Sequence, residues 1–400
     1  MKAMLWVKIK LVAAGLGGVM LVGGGGAVAV RLAAAEPAPK KLNPDLINLP
    51  ANTWVKLKPD RNPVARAFGG VCCGAGYLFY WGGGHADYPC NDVELYDVAN
   101  NKWIQATEPE DFRDAPKWPH LTPEQVKLAM VIQGGCPTVA PILSPKGRPL
   151  VEHTYQYHAW FPEEGVFYNI GIWQHAGLFA FDPAKKEWRE VCRTIPAYGD
   201  QSNLALTYDP NLKTVVAFTA TKNVDPGVFA FDHEKKSWVR KCGLPNDACG
   251  DVFTAYDSAR KVHVIHAGRS WFDVDAVAGT LKPLKKLEDA VKAAGKVPPL
   301  PDVSVAYDPE YKATLVITNN TANKETKGRG APMELWAYDA EKDDWSEVKM
   351  AGTAPMSEVR WNVLAYDPEH KCCLLPNFLT GGGGFSGGRT DGMWAFRLKR

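Results

Sequence analysis

The chain lacks an excess of either charge. Its 400 residues hold 46 Lys and Arg against 44 Asp and Glu, a formal net charge of +2. No basic stripe runs through it, so nucleic acid is excluded as the expected partner, because phosphate binding needs clustered cations. No nucleophile elbow is expected, because its one Gly-x-Ser-x-Gly string, Gly384–Gly388, precedes an expected strand rather than a helix. Gly381–Gly384 and Gly387-Gly388 precede an expected strand rather than a helix, so they are not a phosphate loop. No Cys and His spacing matches a structural zinc site, and nothing calls for a cofactor. Long apolar runs are absent with one exception, Leu11–Val30.

That exception follows Lys2, Lys8 and Lys10 and precedes Ala33-Ala34-Ala35, the layout of an export signal. The run is also about long enough to span a bilayer. Residues 1–35 are therefore read as a signal peptide or a retained N-terminal anchor, the latter giving membrane attachment through residues 11–30. Either reading places the remainder outside the cytoplasm: periplasmic, secreted or anchored. Residues 1–35 hold four basic and no acidic side chains, so the remainder has 42 basic against 44 acidic residues and a net charge of −2. Residues 36–51, rich in Pro and polar residues, read as a linker. Nine cysteines in an exported chain permit disulfides, with Cys90–Cys136 and Cys242–Cys249 as candidates.

What the chain has in abundance is repetition. An aromatic, then Asp, then five residues, then Trp recurs as Tyr96-Asp97…Trp103, Phe181-Asp182…Trp188, Phe231-Asp232…Trp238 and Tyr338-Asp339…Trp345. A second phrase interleaves with it: Tyr208-Asp209…Lys213, Tyr256-Asp257…Lys261, Tyr307-Asp308…Lys312 and Tyr366-Asp367…Lys371. Each phrase flanks a polar turn with β-branched and aromatic residues, so each predicts a hairpin. Two hairpins per period of about fifty residues make a four-stranded unit used repeatedly. Its strands are termed a to d. Six units are expected, and the repeated Trp residues are core first. The last unit ends after Met393-Trp394-Ala395-Phe396 without a d strand, and Asn52–Leu57 carries a Trp-bearing d strand without a partner. The two ends are expected to share one sheet and close a ring, which removes the open edges.

The first unit, with Tyr80-Trp81-Gly82-Gly83-Gly84, then Tyr96, then Trp103, resembles the kelch-type β-propeller family. The resemblance covers residues 52–400 and implies an all-β, six-bladed propeller, expected to be a monomer. Elsewhere the glycine pair is replaced, as at Asn319-Asn320. Long insertions at 106–149 and 284–300 are expected over one face. Each should hold a helix, the first opened by a Thr122–Gln125 capping box and the second ended by Gly295.

An a-to-d meander puts the a–b and c–d turns on one side and the b–c and d–a loops on the other. The second set is long and irregular, so it defines the candidate top face. Its b–c loops bring His85, Asp87, His175, Arg269 and Trp271. Two His with a carboxylate can hold a metal, but a loop His more often shapes its own turn, and no metal is expected. Five residues before each a–b hairpin aromatic stand Tyr155, Asn203, Asp251, Asp302 and Trp361, with Arg66 as the match in the first unit. These residues are expected to ring a funnel at the channel mouth, with His153 and Arg360 nearby.

Three functions fit this pattern. The leading one is a non-catalytic module that binds a glycan or an extracytoplasmic protein through the top face. The second is a sugar-active enzyme of the mutarotase or epimerase kind, with Asp251 or Asp302 as base and Arg66 holding an anionic substrate. The third is a copper-radical oxidase like galactose oxidase, which shares the propeller type. For it, the adjacent pair Tyr157-His158 is the one available start.

Overall fold

The computed structural model describes residues 41–66, 68–83, 88–130, 143–171, 177–196, 204–221, 226–248, 250–296, 303–318, 331–357, 364–377 and 392–399. Residues 1–40, with the apolar run, lie outside this set. Among the described residues no helix is long and apolar enough to cross a membrane.

The strands form six four-stranded antiparallel sheets and one two-stranded pairing, Ala331–Pro332 with Met356–Ser357. Five sheets are simple meanders. The first runs Gly69–Gly74, Tyr77–Gly82, Glu94–Asp97, Lys102–Gln105, and the second begins at His158–Phe161. The third opens with Leu204–Asp209, the fourth with Val252–Asp257 and the fifth with Val303–Asp308. The sixth draws on both ends of the described chain: Ala365–Asp367, Cys372–Asn377, Gly392–Phe396, and then Trp54–Lys56 paired on the last of these. The molecule is an all-β, six-bladed propeller.

The repeated phrases have a direct physical meaning. In each Asp…Trp phrase the leading aromatic and the Trp are register partners across the c–d hairpin. Their rings lie 5.0 to 5.3 Å apart at Tyr96–Trp103, Phe181–Trp188, Phe231–Trp238 and Tyr338–Trp345. Trp54 and Phe396 repeat the arrangement at 5.0 Å, although they come from opposite ends of the chain. Such cross-strand pairs add roughly 0.5–1.5 kcal/mol beyond the area they bury. Trp54, Trp103 and Trp345 are buried, whereas Trp188 and Trp238 are half-buried.

The Asp that follows the aromatic shapes the turn. Asp209 Oδ1 accepts the N–H groups of Asn211 and Leu212 at 2.8 and 3.0 Å. Asp182, Asp232, Asp257, Asp275, Asp308 and Asp339 likewise each accept two turn amides. The turn then closes through a residue at positive φ, and six times that residue is Lys: 186, 213, 236, 261, 312 and 371. Gly165 and Gly279 fill the same place in two other turns at no steric cost.

Two helices stand in the d–a connections. Pro123–Met130 is opened by the expected capping box, with Thr122 N–H on Gln125 Oε1 at 2.9 Å and Gln125 N–H on Thr122 Oγ1 at 3.2 Å. Leu287–Ala293 buries Leu287 and Val291 against Phe253, Trp271 and Trp336 of the fourth and fifth blades. Gly295, at φ 75°, ends it.

The stretch read as a linker contains an ordered clasp. Pro44–Ile47 is one helical turn, and Leu46 and Leu49 are buried in the seam between the first and sixth blades, against Tyr96, Trp103, Ala365 and Leu374. Cys90 and Cys242 carry free thiols. Their candidate partners, Cys136 and Cys249, lie outside the described residues.

Trp345→Ala should cost about 3–5 kcal/mol in urea unfolding, because Trp345 is buried in the seam of the fourth and fifth blades. Val239→Ala, at a position 43% exposed, should stay within about 0.5 kcal/mol of the parent.

Candidate functional site

The innermost strand of each blade has one edge turned toward the ring axis. On the side opposite the hairpins, part of that edge is covered by a strap just before the second blade. Thr154 and Tyr155 donate their backbone N–H groups to Phe68 O at 2.9 and 3.3 Å. Thr154 Oγ1 accepts Gly70 N–H at 2.8 Å and donates to Trp81 O at 3.0 Å. Gln156 continues across. Its carbonyl accepts Leu206 N–H of the third blade at 2.8 Å, and its Oε1 accepts Thr254 N–H of the fourth at 2.7 Å.

The strap is under strain. Tyr155 sits at φ 38°, a region that costs a residue with a Cβ on the order of 1 kcal/mol or more. Among the described residues, the other non-glycine positive-φ residues lie at the hairpin turns or beside Trp54, so Tyr155 is the exception on the loop side. Its conformation is imposed by close packing: a Cβ on Gly70 would stand 2.4 Å from Tyr155 O. The result is an aromatic group at the channel mouth. Phe68 and His153 stack at 3.9 Å, both half-buried, with Tyr155 edge-on to Phe68 at 6.1 Å. Tyr155 Oη lies 3.3 Å from His153 Nδ1.

Behind this group lies a buried ion pair. Arg66 Nη2 meets Asp92 Oδ2 at 2.8 Å, with side chains 0% and 3% exposed, and Nη1 donates to Asp92 O at 2.9 Å. The guanidinium lies 5.2 Å from the Tyr80 ring and 4.5 Å from the Tyr88 ring. Tyr88 donates to Asp92 Oδ1 at 2.7 Å. Burial, with Asp92 beside it, pushes the Tyr88 hydroxyl well up, although Arg66 opposes the shift. This phenol therefore remains a donor at neutral pH. The network sits beside Gly83, at φ 120°, which leads into residues 84–87.

The expected ring is altered in its first member. The first blade closes its a–b hairpin with two residues, Ala75 and Gly76, where the third uses four. Counting back from the paired strand ends therefore aligns Phe68 with Tyr155 and Asp251, and leaves Arg66 two residues outside the ring. Arg66 is occupied by Asp92 and presents no free cation to an anionic substrate. Tyr155 and Asp251 do precede their inner strands, Tyr155 buried and Asp251 half-buried.

Trp271 is not on a loop. The fourth blade joins Val262–Ala267 to Ser270–Asp275 through Gly268-Arg269 alone, so its b–c connection is short rather than long. Trp271 is buried 4.7 Å from Trp345, and Arg269 is exposed at the turn. His85, Asp87, His175, Asn203, Asp302, Arg360 and Trp361 lie outside the described residues.

Tyr157 and His158 are buried in the second blade. His158 packs on Phe79 and Trp81, and burial lowers its pKa to about 3, so it stays neutral at physiological pH. Among the described residues no three His, Cys, Asp or Glu side chains group closely enough to hold a metal ion. Sequence reading passed over Phe68, Thr154 and Gln156. Phe68 was findable by counting strand length instead of hairpin length; the reach of Gln156 across the axis has no sequence signal.

Set against known protein families and curated proteins, the chain shows no match.

Arg66→Met alone strands Asp92 in the interior and should cost about 3–5 kcal/mol in urea unfolding, while the double variant Arg66→Met/Asp92→Leu should recover most of that loss. Equal costs for the single and double variants would show that the pair is not coupled.

Proposed function

We propose that this protein is an exported, kelch-type propeller, closed by its N-terminal strand, that binds a glycan through its top face without chemical conversion. The observation that carries this reading is the strained strap holding the Phe68–His153 pair, with Tyr155 beside it, at the channel mouth. Seven hairpin turns on the opposite face have two amides each tied by their own Asp side chain, so that face offers stereotyped tight turns. The strap side offers aromatic surface on a rigid support, and strain of this kind gathers at functional sites.

The sequence register adds a division of labour. Of the ring positions among the described residues, Phe68 and Tyr155 of the first and second blades are aromatic and Asp251 of the fourth is acidic. A sugar ring has the matching duality, an apolar face for stacking and hydroxyls for carboxylates. Asp251 at this ring favours a neutral or cationic sugar. A sugar-active enzyme holding an anionic substrate through Arg66 is not favoured, because Asp92 already neutralises that side chain.

The pairing of Trp54–Lys56 on Gly392–Phe396 supports closure. The N-terminal layout supports export, and the glycine-and-aromatic signature of the first blade supports the kelch type.

A glycan panel probed with the full chain should show binding of neutral saccharides, weakened about tenfold or more by Phe68→Ala, the scale of a lost aromatic anchor. Binding that Phe68→Ala leaves intact would move the site elsewhere. No binding to any glycan would turn the reading to a protein partner, sought next by cross-linking in the envelope fraction.

A further inference from the structure

The clasp at residues 43–49 is held by a histidine whose protonation state is dictated by its neighbours. His370 lies in the a–b turn of the sixth blade and is 2% exposed. Its Nε2 accepts the backbone N–H of Asn43 at 2.9 Å. A backbone N–H can only donate, so Nε2 must carry a bare lone pair while the clasp is docked. The ring proton then resides on Nδ1, which lies 2.5 Å from Asp367 Oδ2. Asp367 is itself fixed, since its Oδ1 accepts Glu369 N–H at 3.2 Å.

Other contacts hold the clasp beside this one. Asn43 Nδ2 donates to Val98 O of the first blade at 3.0 Å, and its Oδ1 caps the helical turn by accepting Asp45 N–H at 3.0 Å. Arg397 donates to Leu46 O and Ile47 O at 2.7 Å, and to His370 O at 2.8 Å. Leu46 and Leu49 fill the apolar seam below.

A second proton on His370 would go to Nε2 and set one N–H against another in a buried site. The Asp367 contact belongs to the same turn and survives undocking, so it favours the charged ring in both states. What differs is the Asn43 contact, which only the neutral ring can accept. Other charges facing the ring do not reverse this. Arg397 is a fixed cation beside it and opposes a second positive charge. Lys371 is engaged with Glu310 at 2.9 Å. Cys372 and Tyr96 have their ionisation pushed well up by burial and stay neutral. Asp45 sits on the clasp itself, and Glu369 on the His370 turn.

We propose that His370 is a proton-operated latch: taking up a proton at Nε2 releases residues 43–49 from the seam between the first and sixth blades. Docking and a second proton compete for the same Nε2 lone pair, so docking weakens as pH falls. Imidazole is the side chain that changes charge in the mildly acidic range.

Amide hydrogen exchange on the full chain tests this. Between about pH 7.5 and about pH 5, after division by the intrinsic exchange rates, protection of the amides of residues 45–49 should fall about tenfold or more. The Leu204–Asp209 strand of the third blade, which lacks such a latch, should keep its protection. In His370→Gln, Oε1 can accept from Asn43 and Nε2 can donate to Asp367, so the clasp should stay protected at both pH values. Clasp protection that follows the third blade at every pH would overturn the proposal, and the unmodified chain alone decides that outcome. A pH-dependent loss that persists undiminished in His370→Gln would overturn it as well.

Discussion

The c–d hairpins of the first, second, third and fifth blades depend on one short motif: an aromatic to stack across the strands and an Asp to tie off the turn. The stacking fixes which residues face each other, and the carboxylate satisfies turn amides that would otherwise be left for water. With both provided locally, a blade needs only two apolar faces to pack on its neighbours. The opposite loops are then relieved of closing these hairpins, and the chain places a strap and two α-helices there.

The strap and the buried Arg66–Asp92 pair show how the two sides differ. On the turn side, the turn amides are satisfied within a few residues of sequence. On the strap side, satisfaction is long-range: Thr154 serves Gly70 and Trp81, and Arg66 serves Asp92. Long-range polar contacts make a surface rigid and particular at once, which a recognition site requires. A buried guanidinium between two tyrosine rings adds little net stability over an apolar packing of the same shape. It does hold Asp92, at the end of the first b–c loop, in one position.

The fold was legible in the sequence because the hairpin phrases are local. Tyr96 and Trp103 announce their pairing seven residues apart, with the turn chemistry between them. The site was only partly legible. Arg66 was assigned to the ring because hairpin length was assumed constant, and the first blade spends two residues fewer on its turn. Trp271 was assigned to a loop because its neighbours were assumed to be long, and the fourth blade turns in two residues. The clasp was hidden by composition: Pro, Asn and Asp read as a linker, yet Leu46 and Leu49, three apart, both point into one seam. The first two cases are local departures from a uniform repeat, whereas the clasp rests on contacts between residues far apart in the chain, which no local pattern encodes.

Gln156 carries a consequence for how the molecule comes apart. Repeat architectures ordinarily couple only adjacent units, so one unit can fray while the others persist. Here a single side chain and its carbonyl join the second blade to the third and also to the fourth. Loosening the third blade must therefore disturb two neighbours that do not touch through their sheets. This sector should open as one block, and the barrier to partial unraveling is set at the axis instead of at the rim.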